Sequence, residues 1–66
     1  MRVVINGDAR EIEAVKSVAE LIAALGLPAP AILVEHNGLA LRRSEWSERP
    51  LADGDCLEII RMVAGG

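Results

Sequence analysis

Sixty-six residues with a net charge of −3 allow one domain and offer no basic face to meet the phosphates of a nucleic acid, although a basic protein partner remains compatible. One cysteine excludes an internal disulfide, and the Cys/His sets that build zinc sites are missing, so no metal is expected. Hydrophobic residues make up 52% of the chain, with one Trp and no Phe or Tyr, so cohesion must come from aliphatic packing, which in a chain this small supplies about 3–5 kcal/mol.

The first segment, Met1-Arg2-Val3-Val4-Ile5-Asn6, is too short and too soon polar for a secretory leader, and no later run has the length of a membrane span. Val3-Val4-Ile5 reads as a strand, and Asn6-Gly7 is the sequence signal for a type I′ hairpin turn. The return strand is expected at about Ala9 to Ala14. Ile12 is its one large apolar side chain, which puts it at a sheet edge with Arg10, Glu11 and Glu13 as solvated charges.

Ser17 and Glu20 form a capping-box pair, and Val18, Leu21, Ile22 and Leu25 follow at helical spacing on one face. Gly26 sits where a left-handed residue ends a helix, and Pro28 blocks continuation. The helix is predicted at Val18 to Leu25. Pro28-Ala29-Pro30 reads as a stiff extended connector, since residues before proline avoid helical angles.

Ala31-Ile32-Leu33-Val34 is a nearly continuous apolar run, as expected of a central strand. His36-Asn37-Gly38 is read as its turn, with His36 solvated, and Leu39-Ala40-Leu41 as a short strand. Ser44 is the expected cap of a single helical turn carrying Trp46 as a lid on the core, stopped by Pro50. Asp53-Gly54-Asp55 turns the chain into a final strand, Cys56 to Met62, which leads into Val63-Ala64-Gly65-Gly66. Leu21, Ile22, Leu33, Leu57 and Ile59 are the expected core.

Catalysis by side chains of this chain finds little support. Cys56 has no cation within four residues to lower its pKa and reads as structural. Two aspartates around Gly54 fall far short of a calcium loop and suit a turn. There is no Gly-Lys-Ser/Thr phosphate loop. What remains is the α-carboxylate of Gly66, with an ordinary pKa of about 3.3–3.7, on a thread without side chains. Such a carboxylate can attack the α-phosphate of ATP, and a sulfur nucleophile can then displace AMP to leave a thiocarboxylate. Residues 63–66, the expected flexible tail, reach at most about 14 Å.

The Asn6-Gly7 hairpin, the single helix, the Asp53-Gly54-Asp55 turn and the Ala64-Gly65-Gly66 end, in this order and length, resemble the ThiS family of sulfur carriers in thiamin thiazole biosynthesis, within the ubiquitin-like group. The resemblance spans the whole chain, residues 1–66. It implies an α+β fold of the β-grasp type: a mixed four- to five-stranded sheet, one helix on one face, and the first and last strands parallel neighbours in the middle. It further implies a protein cosubstrate rather than an enzyme, with no bound cofactor. A ThiF-like adenylating enzyme would use ATP to activate Gly66, a cysteine desulfurase would supply persulfide sulfur, and a ThiG-like thiazole synthase would accept it, all in the cytoplasm. Given that fold, strand parity turns Val4, Ile60 and Met62 outward as a partner-binding patch beside the Ala64-Gly65 tail; cover by local side chains is the other reading. The small subunit of molybdopterin synthase, a ubiquitin-like modifier and a non-covalent β-grasp interaction domain remain alternatives.

Overall fold

The computed structural model describes residues 1–63. Strands β1 (Arg2–Ile5), β2 (Asp8–Glu11), β3 (Ile32–His36), β4 (Leu39–Leu41) and β5 (Cys56–Arg61) form one sheet, and α1 (Val18–Ala24) covers one of its faces. The strand order is β2-β1-β5-β3-β4, with β1 and β5 parallel and the other pairs antiparallel. This is the mixed β-grasp sheet expected above. The parallel pair needs a long crossover, and residues between β1 and β5 supply it, including the helix that closes the core.

Local chemistry explains the elements. Asn6 and Gly7 take φ of +50° and +85°, the positive angles a type I′ turn demands, and Asn37 at +49° with Gly38 at +84° makes a second turn of that kind. Ser17 is the N-cap of α1, its side chain accepting from the Glu20 N–H at 3.2 Å. Glu20 Oε1 reaches back to the N–H of Lys16 at 3.1 Å, one residue beyond the cap, so the expected capping box is offset. At the other end Gly26 has φ +70°, its N–H bonds to Ala23 O, and the Leu27 N–H bonds to Ile22 O. This double closure is a Schellman motif. The helix therefore stops at Ala24, with Leu25 as cap.

The core consists of Val3 and Ile5 from β1, Val18, Leu21 and Ile22 from α1, Ile32 and Val34 from β3, with Leu41, Trp46, Leu51 and Leu57. Trp46 lies on a 3-10 turn, Arg43–Glu48, that packs against α1, and its side chain is buried as expected. The segment after it is stitched to the helix entry: Val18 N–H donates to Arg49 O and Leu51 N–H to Lys16 O.

Several expectations are corrected. β2 ends at Glu11, although the Ile12 N–H still bonds to Met1 O at 2.8 Å. The Pro28-Ala29-Pro30 connector is not extended throughout. It closes a 3-10 turn, Ala29–Ala31, through Ala31 N–H to Pro28 O at 2.8 Å, because Pro30 occupies an early position whose N–H such a turn does not use. The turn bearing Trp46 is capped by Arg42 rather than Ser44: Glu45 Oε1 accepts from the Arg42 N–H at 2.7 Å. Leu33 is not core but 49% exposed, since β3 alternates between two faces and only one is covered. Ile59 is half-buried.

Candidate functional site: the exit of the last strand and the open sheet face

Two asparagines anchor β5, the strand that leads to the chain end. Asn6 Oδ1 accepts from the Ile59 N–H at 2.7 Å while its Nδ2 donates to the Ile59 carbonyl at 3.0 Å. Backbone pairing between β1 and β5 has ended by then, and the side-chain amide extends it. Asn37 Oδ1 likewise accepts from the Cys56 N–H at 2.9 Å, on the opposite side of the strand. Both hairpin turns thus supply the positive-φ residue and a clamp on the central strand.

Beyond Arg61, which lies opposite Ile32, the Met62 N–H still donates to Ala31 O at 2.7 Å. Val63 follows at 90% exposure, free of the sheet. The tail residues named from the sequence, Ala64, Gly65 and Gly66, lie outside the described residues.

The face of the sheet away from α1 is open. Ile60 is 55% exposed, Met62 45% and Val4 half-buried. The register does not bring all three together. Val4 is opposite Cys56, four residues before Ile60, a strand distance of about 13 Å. Leu33, assigned to the core from sequence, is instead the direct neighbour of Ile60 across β3 and β5. Its shared parity with Glu35, against buried Ile32 and Val34, was the available signal. Cys56 is an exposed free thiol on this same face.

At the other end of β5 lies a polar cluster that sequence reasoning missed. His36 was expected in a solvated turn, yet it is the last residue of β3 and only 3% exposed. Asn37 and Gly38 suffice for the turn, so the histidine stays in the strand and points toward the core. Arg49 Nε donates to His36 Nδ1 at 2.8 Å, and His36 Nε2 lies 2.7 Å from Asp55 Oδ2. An arginine can only donate, so Nδ1 is the acceptor and Nε2 carries the hydrogen given to Asp55. Asp55 also accepts from the N–H of Ala52 and from Asn37 Nδ2. Burial raises the Asp55 pKa, but the hydrogen bonds from Ala52, His36 and Asn37 outweigh it and hold the carboxyl below its ordinary value. The cluster ties β3, the Trp46 turn and the entry to β5 together, and lies at the end of β5 remote from the tail. Asp53, the other aspartate of that turn, accepts from the Arg2 N–H at 2.6 Å. Asp55 thus bonds within its own turn through Ala52 while Asp53 ties the turn to β1, and no group of three His, Cys, Asp or Glu able to hold a metal occurs among the described residues.

A mixed five-stranded sheet of order β2-β1-β5-β3-β4 with one helix on one face belongs to the class of ubiquitin-like β-grasp folds. The match is more specific than that class: the family model for the ThiS family covers residues 3–66, and the chain belongs to this family. A sulfur carrier protein ThiS from Thermus thermophilus is 33% identical over 62 residues, covering 94% of this chain and 95% of that protein. A thiazole synthase from Paramagnetospirillum magneticum is 35% identical over 66 residues; the match takes in all of this chain, which spans only 20% of that longer protein. The crystal structure of the thiamine biosynthesis protein ThiS from Geobacter metallireducens superposes with a TM-score of 0.83 at 32% identity, covering both chains completely. Its solution structure gives 0.82, covering 88% of that chain.

Proposed function

We propose that this chain is the sulfur carrier of thiamine biosynthesis, acting as a cytoplasmic protein cosubstrate and not as an enzyme. The observation that carries the reading is the match of residues 3–66, through the final glycines, to the ThiS family, joined to a last strand that leaves the sheet at Val63. A carboxylate oxygen of Gly66 attacks the α-phosphate of ATP bound by an adenylating enzyme, and pyrophosphate leaves. A persulfide, derived from a cysteine desulfurase, adds its terminal sulfur to the activated carbonyl carbon, and AMP leaves. A second thiol then attacks the inner sulfur, forming a disulfide with it as the S–S bond to the carrier breaks, and Gly66 is released as a thiocarboxylate.

The carrier's part is positional. No side chain of this domain enters the chemistry, and ATP binds to the partner. Ala64, Gly65 and Gly66 form the slim end that enters the partner's site, and the sheet face bearing Ile60 and Met62 receives the partner's surface. The long relative that bears the name thiazole synthase supports a thiazole synthase as sulfur acceptor.

Intact mass spectrometry after incubation with the adenylating enzyme, ATP and a persulfide source tests the reading. The expected product gains the mass of one sulfur in place of one oxygen, localised to Gly66. Gly65→Val should block entry to a narrow channel, and one added C-terminal residue should move the carboxylate out of register. Attachment to lysines would instead mark a modifier. Absence of adenylate and thiocarboxylate with a competent activating enzyme, or a thiocarboxylate formed equally well without Gly65-Gly66, overturns the proposal.

A further inference from the structure

The open sheet face has an acidic centre. Glu35 on β3 and Glu58 on β5 are directly opposite in the antiparallel register, and both are exposed. Directly opposed residues on one face hold their Cβ atoms about 4.5–5.5 Å apart, and like charges so placed destabilise a sheet. The ion pairs among the described residues are Met1–Glu11 and His36–Asp55, and neither carboxylate of this pair takes part. Two carboxylates alone do not make a metal site, and no third ligand joins them.

The surroundings of the pair are apolar and concave. Leu33, Glu35, Ala40, Glu58 and Ile60 line a hollow of about 140 Å³. Leu33 and Ile60 are the next outward-facing residues along the strands, so the apolar rim lies on the side of the pair nearer Met62. A basic side chain entering this hollow would lay its aliphatic stem on Leu33, Ile60 and Ala40 and set its charge between the two carboxylates. A guanidinium suits the two acceptors best, because its planar fork donates to both at once.

We propose that Glu35 and Glu58 form a socket for one arginine or lysine of the sulfur-accepting enzyme, which docks on the open face while the tail enters its active site. The inference rests on the carrier reading and adds the chemistry of the contact. The repulsion left uncancelled in the free carrier is relieved when the partner's cation arrives, so the pair favours the bound state.

The test is a titration of this chain and its Glu35→Gln, Glu58→Gln and doubly substituted variants against the thiazole synthase of the same organism, at low and high salt, with thermal unfolding of each free carrier alongside. Glutamine keeps the shape and removes the charge. The free double variant should melt at the same or a higher temperature than the parent. Its affinity should fall about tenfold or more at low salt, and the salt dependence of the parent should largely vanish. A Glu58→Lys variant should lose binding further while remaining folded. Unchanged affinity in the double variant, absence of parent binding, or a lowered melting temperature of the free double variant overturns the proposal. Thiocarboxylate formation on the parent is scored separately: its success with binding indifferent to both glutamates removes the socket alone, and its failure removes the carrier reading.

Discussion

Asn6 and Ile59, fifty-three residues apart, are joined by two hydrogen bonds, Ile59 N–H to Oδ1 at 2.7 Å and Nδ2 to the Ile59 carbonyl at 3.0 Å. The residue that turns the first hairpin also holds the last strand. Turn and clamp can be separated by substitution. Asn6→Gly keeps a residue at ease with φ +50° but removes the amide. It should lower stability by about 1–3 kcal/mol, from two hydrogen bonds at about 0.5–1.5 kcal/mol each, seen as a lower denaturation midpoint. Amide exchange at Ile59 should quicken beyond that at Leu57. Equal stability would show that the clamp adds nothing to the turn.

Asp55 predicts a pH dependence. Its folded pKa lies below the ordinary value of 3.8, so as pH falls the unfolded chain takes up the proton first. The stabilisation is therefore complete above pH 3.8 and is lost as pH drops from there through the folded value. Asp55→Asn should be less stable at neutral pH by about 1.5–3 kcal/mol, the scale of a hydrogen bond to a charged group. The gap between the proteins should narrow under acid. Urea unfolding at a series of pH values measures it, and a gap that is constant down to low pH would contradict the assignment.

Ser17→Ala removes the acceptor for the Glu20 N–H at 3.2 Å and should cost about 1 kcal/mol. Glu20→Ala should cost less, since Oε1 serves the exposed N–H of Lys16, which water can satisfy once the carboxylate is gone. Thermal melts of the two variants should fall in that order.

Leu57 and Leu33 are a matched contrast. Leu57 is 1% exposed and Leu33 is 49% exposed. Leu57→Ala should destabilise by about 2–5 kcal/mol, and Leu33→Ala by about 0.5 kcal/mol or less. Ile60→Asp, on the same open face, should leave the domain folded while weakening partner binding, read by chemical denaturation and by titration with the enzyme that receives the tail. A variant at Ile60 that unfolds would show that the side chain belongs to the core.

The sequence by itself determined what short-range chemistry decides. Ser17 and Gly26 bound the helix to within a residue, Asn6-Gly7 marked a hairpin, and Leu21 and Ile22 marked the buried face. These features repeat within a few residues, where backbone geometry leaves few options. The order of elements, with the resemblance of the whole chain, carried the β-grasp arrangement. The tertiary structure alone decided the pairings between distant residues. His36 meets Arg49 and Asp55 at separations of 13 and 19 residues, and no local pattern distinguishes that buried histidine from one in a solvated turn. Leu33 faces outward because β3 is covered on one side only, which the apolar run masks and only the parity shared with Glu35 hints at. Val4 and Ile60 have the same parity but lie apart, because parity sets the face while interstrand register sets the position along it. That register also put Glu35 opposite Glu58, a relation created by pairing strands more than twenty residues apart.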